Sequence, residues 1–79
     1  MELTYDPKYN IAYIRFRPKS SDVESIKISD ELLVDMGSDG VIYGIELLNA
    51  NEQLQREGEA NLVVLNKGTG KRLSVSLPM

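Results

Sequence analysis

The chain has 79 residues, a net charge of −3, 42% apolar and 27% charged residues, and neither His nor Cys. A length of this order allows one domain, residues 1–79, with a thin core, and the mix of apolar and charged residues excludes a disordered chain. Without imidazole or thiol there is no His or Cys catalysis, no disulfide and no Cys/His zinc site, and the acidic balance argues against nucleic acid as a partner.

No run approaches the ~20 apolar residues needed to span a bilayer. The start Met1-Glu2-Leu3-Thr4 is acidic and lacks the apolar stretch of a signal peptide, so the expectation is a cytoplasmic protein with no membrane contact.

Residues 2 to 17 read as a hairpin. Leu3 and Tyr5 alternate with Glu2, Thr4 and Asp6, and Ile11, Tyr13 and Arg15 alternate with Ala12, Ile14 and Phe16. Asp6-Pro7-Lys8-Tyr9-Asn10 is the turn, because an Asp carboxylate accepts a backbone N–H while Pro fixes φ and needs no N–H partner. Pro18 to Asp22 is a short loop that ends the second strand.

Val23 to Ile28 is weakly patterned and reads as an edge strand, whereas 32–36 and 41–48 are strongly apolar strands. Their connector, Gly37-Ser38-Asp39-Gly40, places Gly40 at a left-handed position with a bulge. Counting outward from it sets Met36 near Val41 and Asp35 near Ile42, with Glu46 further down the ladder.

Asn49 is an N-cap candidate for a short helix near residues 50–57. Glu52 would close a capping box, Glu52 and Arg56 would form an i, i+4 pair, Leu54 would anchor the helix and Gly58 would stop it. A last hairpin spans 61–66 and 72–77 around Lys67-Gly68-Thr69-Gly70. Leu62, Val64, Leu73, Val75 and Leu77 are its candidate core or interface side chains.

The chemistry-bearing residues are few. Asp35 and Glu46 stand out because both interrupt apolar strand runs. The ordinary reading places them on the solvent face of a half-buried sheet, and the functional one makes them semi-buried carboxylates of a ligand site. Tyr13, Arg15 and Arg17 share strand parity and, with Lys19 and Lys27, form the one patch that suits an acidic partner; the ordinary reading is a solvated face. Gly68-Thr69-Gly70-Lys71 lacks the length and following helix of a phosphate loop, and Gly37 to Gly40 lacks the acidic spacing of a calcium loop. Ser20, Ser21, Ser74 and Ser76 have no His or suitably placed Lys to make a nucleophile of them. No catalytic residue, metal ligand or cofactor follows from these patterns.

Two stretches, Tyr5-Asp6-Pro7-Lys8-Tyr9-Asn10-Ile11-Ala12-Tyr13-Ile14-Arg15 and Val34 to Ala50, together resemble the small family catalogued as domain of unknown function 2283, over residues 5–50. The chain departs from the family pattern at Asn10 and Gly37, where acidic residues are usual, which argues against an acidic metal cluster. The resemblance implies a compact antiparallel fold with no assigned activity. It also implies, through relatives that look like the small partner of a toxin-like protein, an antitoxin-like member of a two-protein pair.

The expected fold is α+β: a mainly antiparallel sheet of five to seven strands, strongly twisted or partly barrel-like, with one short helix. The expected function is a structural or protein-interaction module with a heterologous protein partner; the alternative is a small enzyme or ligand-binding protein using Asp35 and Glu46. A one-layer sheet with a single short helix leaves apolar surface uncovered, and a homodimer is the expected remedy.

Overall fold

The computed structural model describes all 79 residues. Its elements are β1 (Glu2–Asp6), β2 (Ile11–Arg15), β3 (Val23–Ser29), β4 (Leu32–Gly37), β5 (Ile42–Leu48), α1 (Ala50–Leu54), β6 (Asn61–Leu65) and β7 (Arg72–Ser76). The first five strands form one antiparallel sheet in the order β1-β2-β5-β4-β3, and β6 and β7 form a separate two-stranded sheet. The α+β, antiparallel expectation holds in composition.

The expected barrel-like or strongly twisted closure does not. β1 and β3 are unpaired edges of an open sheet, and the molecule measures 35 × 35 × 20 Å. Closing a barrel would require these edges to hydrogen-bond to each other or to the second sheet. The chain instead spends β6 and β7 on each other.

Turn chemistry fixes the hairpins locally. In the β1–β2 turn Lys8 N–H donates to Asp6 Oδ1 at 2.9 Å, and Asn10 takes a φ of 55°. Gly40 has a φ of 84°, and its N–H donates to the Gly37 carbonyl at 2.9 Å, as the sequence predicts for the left-handed position.

The register beyond that turn differs from the one counted from sequence. Met36 pairs with Ile42, not Val41, and Asp35 with Gly44, not Ile42: Gly37 N–H donates to the Val41 carbonyl, which sets the ladder one residue further along β5, and a bulge at the next step leaves Tyr43 as an extra residue and adds a second. The Tyr43 carbonyl is used elsewhere: it accepts from both Phe16 N–H and Arg17 N–H, at 2.9 and 3.2 Å. One consequence is that Glu46 lies two residues from the partner of Asp35, not four.

The helix is shorter than expected and capped differently. It ends at Leu54, Asn49 sits in the left-handed region with no side-chain cap bond, and no Glu52–Arg56 ion pair forms because Arg56 lies beyond the helix. Asn10 from the β1–β2 turn supplies the cap. Its carbonyl accepts from Ala50 N–H at 3.0 Å and its Oδ1 from Asn51 N–H at 2.9 Å. Its Nδ2 donates to Asn51 Oδ1 at 2.6 Å. Gly58, expected as the helix stop, instead follows Glu57 in a two-residue turn with φ values of 53° and 79°, bracketed by reciprocal Arg56–Glu59 backbone bonds.

Strand alternation gives the five-stranded sheet two unlike faces. One carries Leu3, Tyr5, Ala12, Ile14, Val34, Ile45 and Leu47; the other carries Thr4, Tyr13, Arg15, Ser25, Asp35 and Glu46. The apolar face forms only a thin core. Ala12, Ala50 and Ala60 are its buried apolar residues, and no large side chain is fully buried.

Candidate functional site

The polar face holds a cleft of about 380 Å³, whose position follows from the register. Arg15, Gly44, Asp35 and Ser25 lie side by side across β2, β5, β4 and β3. The neighbouring row runs Thr4, Tyr13, Glu46, Leu33 and Lys27. Tyr13 therefore stands diagonal to Gly44, and its ring crosses β5 to reach β4.

Gly44 makes that crossing possible. A Cβ there would meet the Tyr13 hydroxyl at a clashing distance, the Tyr13 Cζ at 2.5 Å and the Ile14 carbonyl at 2.9 Å. Glycine inside a strand weakens it, and here its missing side chain leaves the room that the tyrosine ring occupies.

Asp35 forms the floor of the cleft. It is 9% exposed, and its two oxygens are held separately: the Tyr13 hydroxyl donates to Oδ2 at 2.7 Å, and the Ser25 hydroxyl donates to Oδ1 at 2.5 Å. A buried carboxylate needs such donors, since burying the charge uncompensated costs on the order of several kcal/mol. Tyr13 answers to the same environment. Burial, the hydrogen bond to Asp35 and the charge of Asp35 push its hydroxyl up to about 12, with Glu46 adding to the rise and Arg15 opposing it.

Above this floor stand charges of both signs. Arg15, Lys19 and Glu46 line the cleft, and none forms an ion pair, the single close pair in the molecule being Lys27–Asp30 at 3.2 Å on the surface. No group of three or more carboxylates converges to hold a metal ion.

Of the residues singled out in the sequence, Asp35, Glu46, Tyr13 and Arg15 therefore meet in one cleft. Asp35 is buried, not solvent-facing as its ordinary reading has it, because Tyr13 reaches over from β2. Arg17 does not line the cleft: β2 ends at Arg15, and the paired donation of Phe16 and Arg17 to the Tyr43 carbonyl breaks the alternation that would have kept Arg17 in step. Thr4 and Ser25 complete the lining and were not singled out. Ordinary strand hydroxyls carry no signal of their own. Gly44, an isolated glycine in an apolar strand run, was the available sign of a close approach.

In the Gly68-Thr69-Gly70 loop the Asn66 side chain accepts from Gly68 N–H and Thr69 N–H at 2.9 and 3.2 Å. Those donors are already engaged within the turn.

An open antiparallel sheet with a polar cleft on one face and a thin apolar core on the other defines a small α+β protein of a simple kind. The chain belongs to the family described as Protein of unknown function (DUF2283), whose model matches residues 2–51. That span covers β1 to β5 and the start of α1, so it includes every residue of the cleft. No curated protein and no solved structure matches the chain. No helix is long and apolar enough to cross a membrane.

Proposed function

We propose that the protein binds a small zwitterionic solute in the cleft, with Asp35 and Glu46 as its acidic elements. The observation that carries this reading is the layering of the site: a buried Asp35 at the floor, each of whose oxygens accepts one hydrogen bond, and unpaired Arg15, Lys19 and Glu46 above it. Arg15 and Lys19 suit a carboxylate or phosphate group, Arg through a planar fork and Lys as a point charge. Glu46 suits an ammonium or hydroxyl donor on the same molecule. Tyr13 and Asp35 set the depth of the cleft and hold its floor, with Asp35 accepting from both the Tyr13 and the Ser25 hydroxyls.

Calorimetry with free amino acids, inorganic phosphate and glycerol tests the assignment. Binding of an amino acid with weaker phosphate binding and none for glycerol supports it, and Glu46→Gln and Arg15→Gln should each weaken that binding by about tenfold or more. Glycerol binding as well as the amino acids, or indifference to both substitutions, would overturn it.

A second reading concerns assembly: the protein is a homodimer. Its support is the absence of any large, fully buried side chain in a chain of 79 residues. A domain so small needs an added source of burial to offset its ordering entropy, and a second copy supplies one.

A further inference from the structure

We infer that the β6–β7 hairpin of one copy seats in an apolar groove on the other face of a second copy's sheet, and that this exchange is the dimer contact. The inference rests on the homodimer reading and names the surface.

The hairpin cannot stand unsupported. Every residue of β6 and β7 is exposed, and a lone two-stranded hairpin is at best marginally stable in water. Its register pairs Leu62 with Val75 and Val64 with Leu73, so four aliphatic side chains share one face. They are 43%, 40%, 52% and 61% exposed respectively. Leu62, at the base, lines its own copy's groove, so Val64, Leu73 and Val75 are the row offered to the partner.

The receiving surface lies on the sheet face opposite the polar cleft. Leu3, Ile14, Phe16 and Leu54, with Leu62 and Leu77 at the base of the hairpin, line a groove of about 1280 Å³. Phe16 is 42% exposed there. The broad face of a 35 × 35 × 20 Å molecule is ample for the ~800 Å² per partner that a stable contact removes from water. The polar cleft remains open on the other face.

Charge selects hairpin-in-groove over hairpin-on-hairpin. Residues 60–79 carry Lys67, Lys71 and Arg72 and no acid, whereas residues 1–59 hold all 12 acidic residues against six basic ones, and the groove itself is lined by Glu57 and Glu59 with Arg56 as its one base. Two hairpins stacked on each other would oppose like charges. A hairpin laid on the partner's acidic body pairs unlike ones, and a twofold axis repeats the contact so that both hairpins and both grooves are covered.

Sedimentation of the full chain and two variants tests this. Leu73→Glu, on the exposed apolar row, and Phe16→Lys, at the groove, should each raise the dimer dissociation constant by about thirtyfold or more while far-UV circular dichroism keeps its strand signal. Val63→Lys, on the hairpin's other face, should leave the dimer intact and so separates loss of contact from loss of the hairpin. Mixing Leu73→Glu with Phe16→Lys should restore a dimer, because one of its two contacts is then wholly native and the other joins opposite charges. Raised salt should weaken the wild-type dimer. A wild-type chain that sediments as a monomer at every concentration defeats the homodimer reading and this inference with it. A wild-type dimer whose two variants stay monomeric on mixing, or that Val63→Lys disrupts as strongly as Leu73→Glu, overturns the hairpin-in-groove contact alone.

Discussion

Tyr13 and Asp35 meet at 2.7 Å across a strand that contributes no side chain between them: the β5 residue opposite Asp35 is Gly44. The hydrogen bond, the burial of the carboxylate and the depth of the cleft all depend on that vacancy. Side chains two strands apart on one face of a sheet ordinarily meet only when the strand between offers nothing to separate them.

Gly44→Ala should therefore destabilise the fold by about 1–3 kcal/mol, as overpacking does, because the new methyl group meets both a ring and the Ile14 carbonyl and the backbone atom cannot swing away. Denaturant unfolding measures the loss. An equal midpoint in variant and wild type would show that the ring can move aside at no cost.

The raised Tyr13 hydroxyl links stability to alkaline pH. An unfolded tyrosine loses its proton near pH 10, whereas the folded one holds it to about 12. The folded state thus binds more protons in this window, so the contribution is complete below pH 10 and falls away as pH rises toward 12. Tyr13→Phe should be less stable than wild type near neutrality, with the gap closing across that window. Ultraviolet titration of tyrosinate should lose its latest-titrating tyrosine in the same variant.

Asn10 joins the first turn to the helix start, and the size of its contribution can be isolated with Asn10→Gly. Glycine keeps the φ of 55° accessible but removes the side-chain bonds to Tyr5, Asn49 and Asn51. The expected loss is about 1–2 kcal/mol, typical of a helix cap. Hydrogen exchange should show it first as faster exchange at Asn51. Unchanged protection there would mean that water replaces the cap without penalty.

Gly40→Val probes a purely backbone effect. A Cβ at Gly40 has nothing within 4 Å, yet its φ of 84° is strained for a β-branched residue. Destabilisation by roughly 1 kcal/mol or more is expected, with an unchanged denaturant slope. Gly40→Asn, whose side chain tolerates the left-handed region, should recover much of it. Equal unfolding midpoints for Val and Asn at this position would count against a conformational origin.

What could be read from the sequence was local in origin. Strand alternation placed Tyr13 and Arg15 on one face and Ala12 and Ile14 on the other, since a pleated backbone directs successive side chains to opposite sides whatever the tertiary context. Asp6 and Gly40 announced their turns through their own side chain or its absence. The family resemblance over residues 5–50 rested on the same strand-turn pattern and agrees with the match over 2–51. Everything that joins distant segments required the tertiary structure. The bulge at Tyr43 moved Glu46 closer to Asp35, the order β1-β2-β5-β4-β3 set Tyr13 within reach of a carboxylate 22 residues away, and Asn10 displaced Asn49 as the cap of a helix 41 residues on. The open sheet, expected to curl toward a barrel, was decided in the same way. A strand's tendency to pair is intrinsic, but which edge it finds depends on the competition among all edges at once, and β6 and β7 found each other.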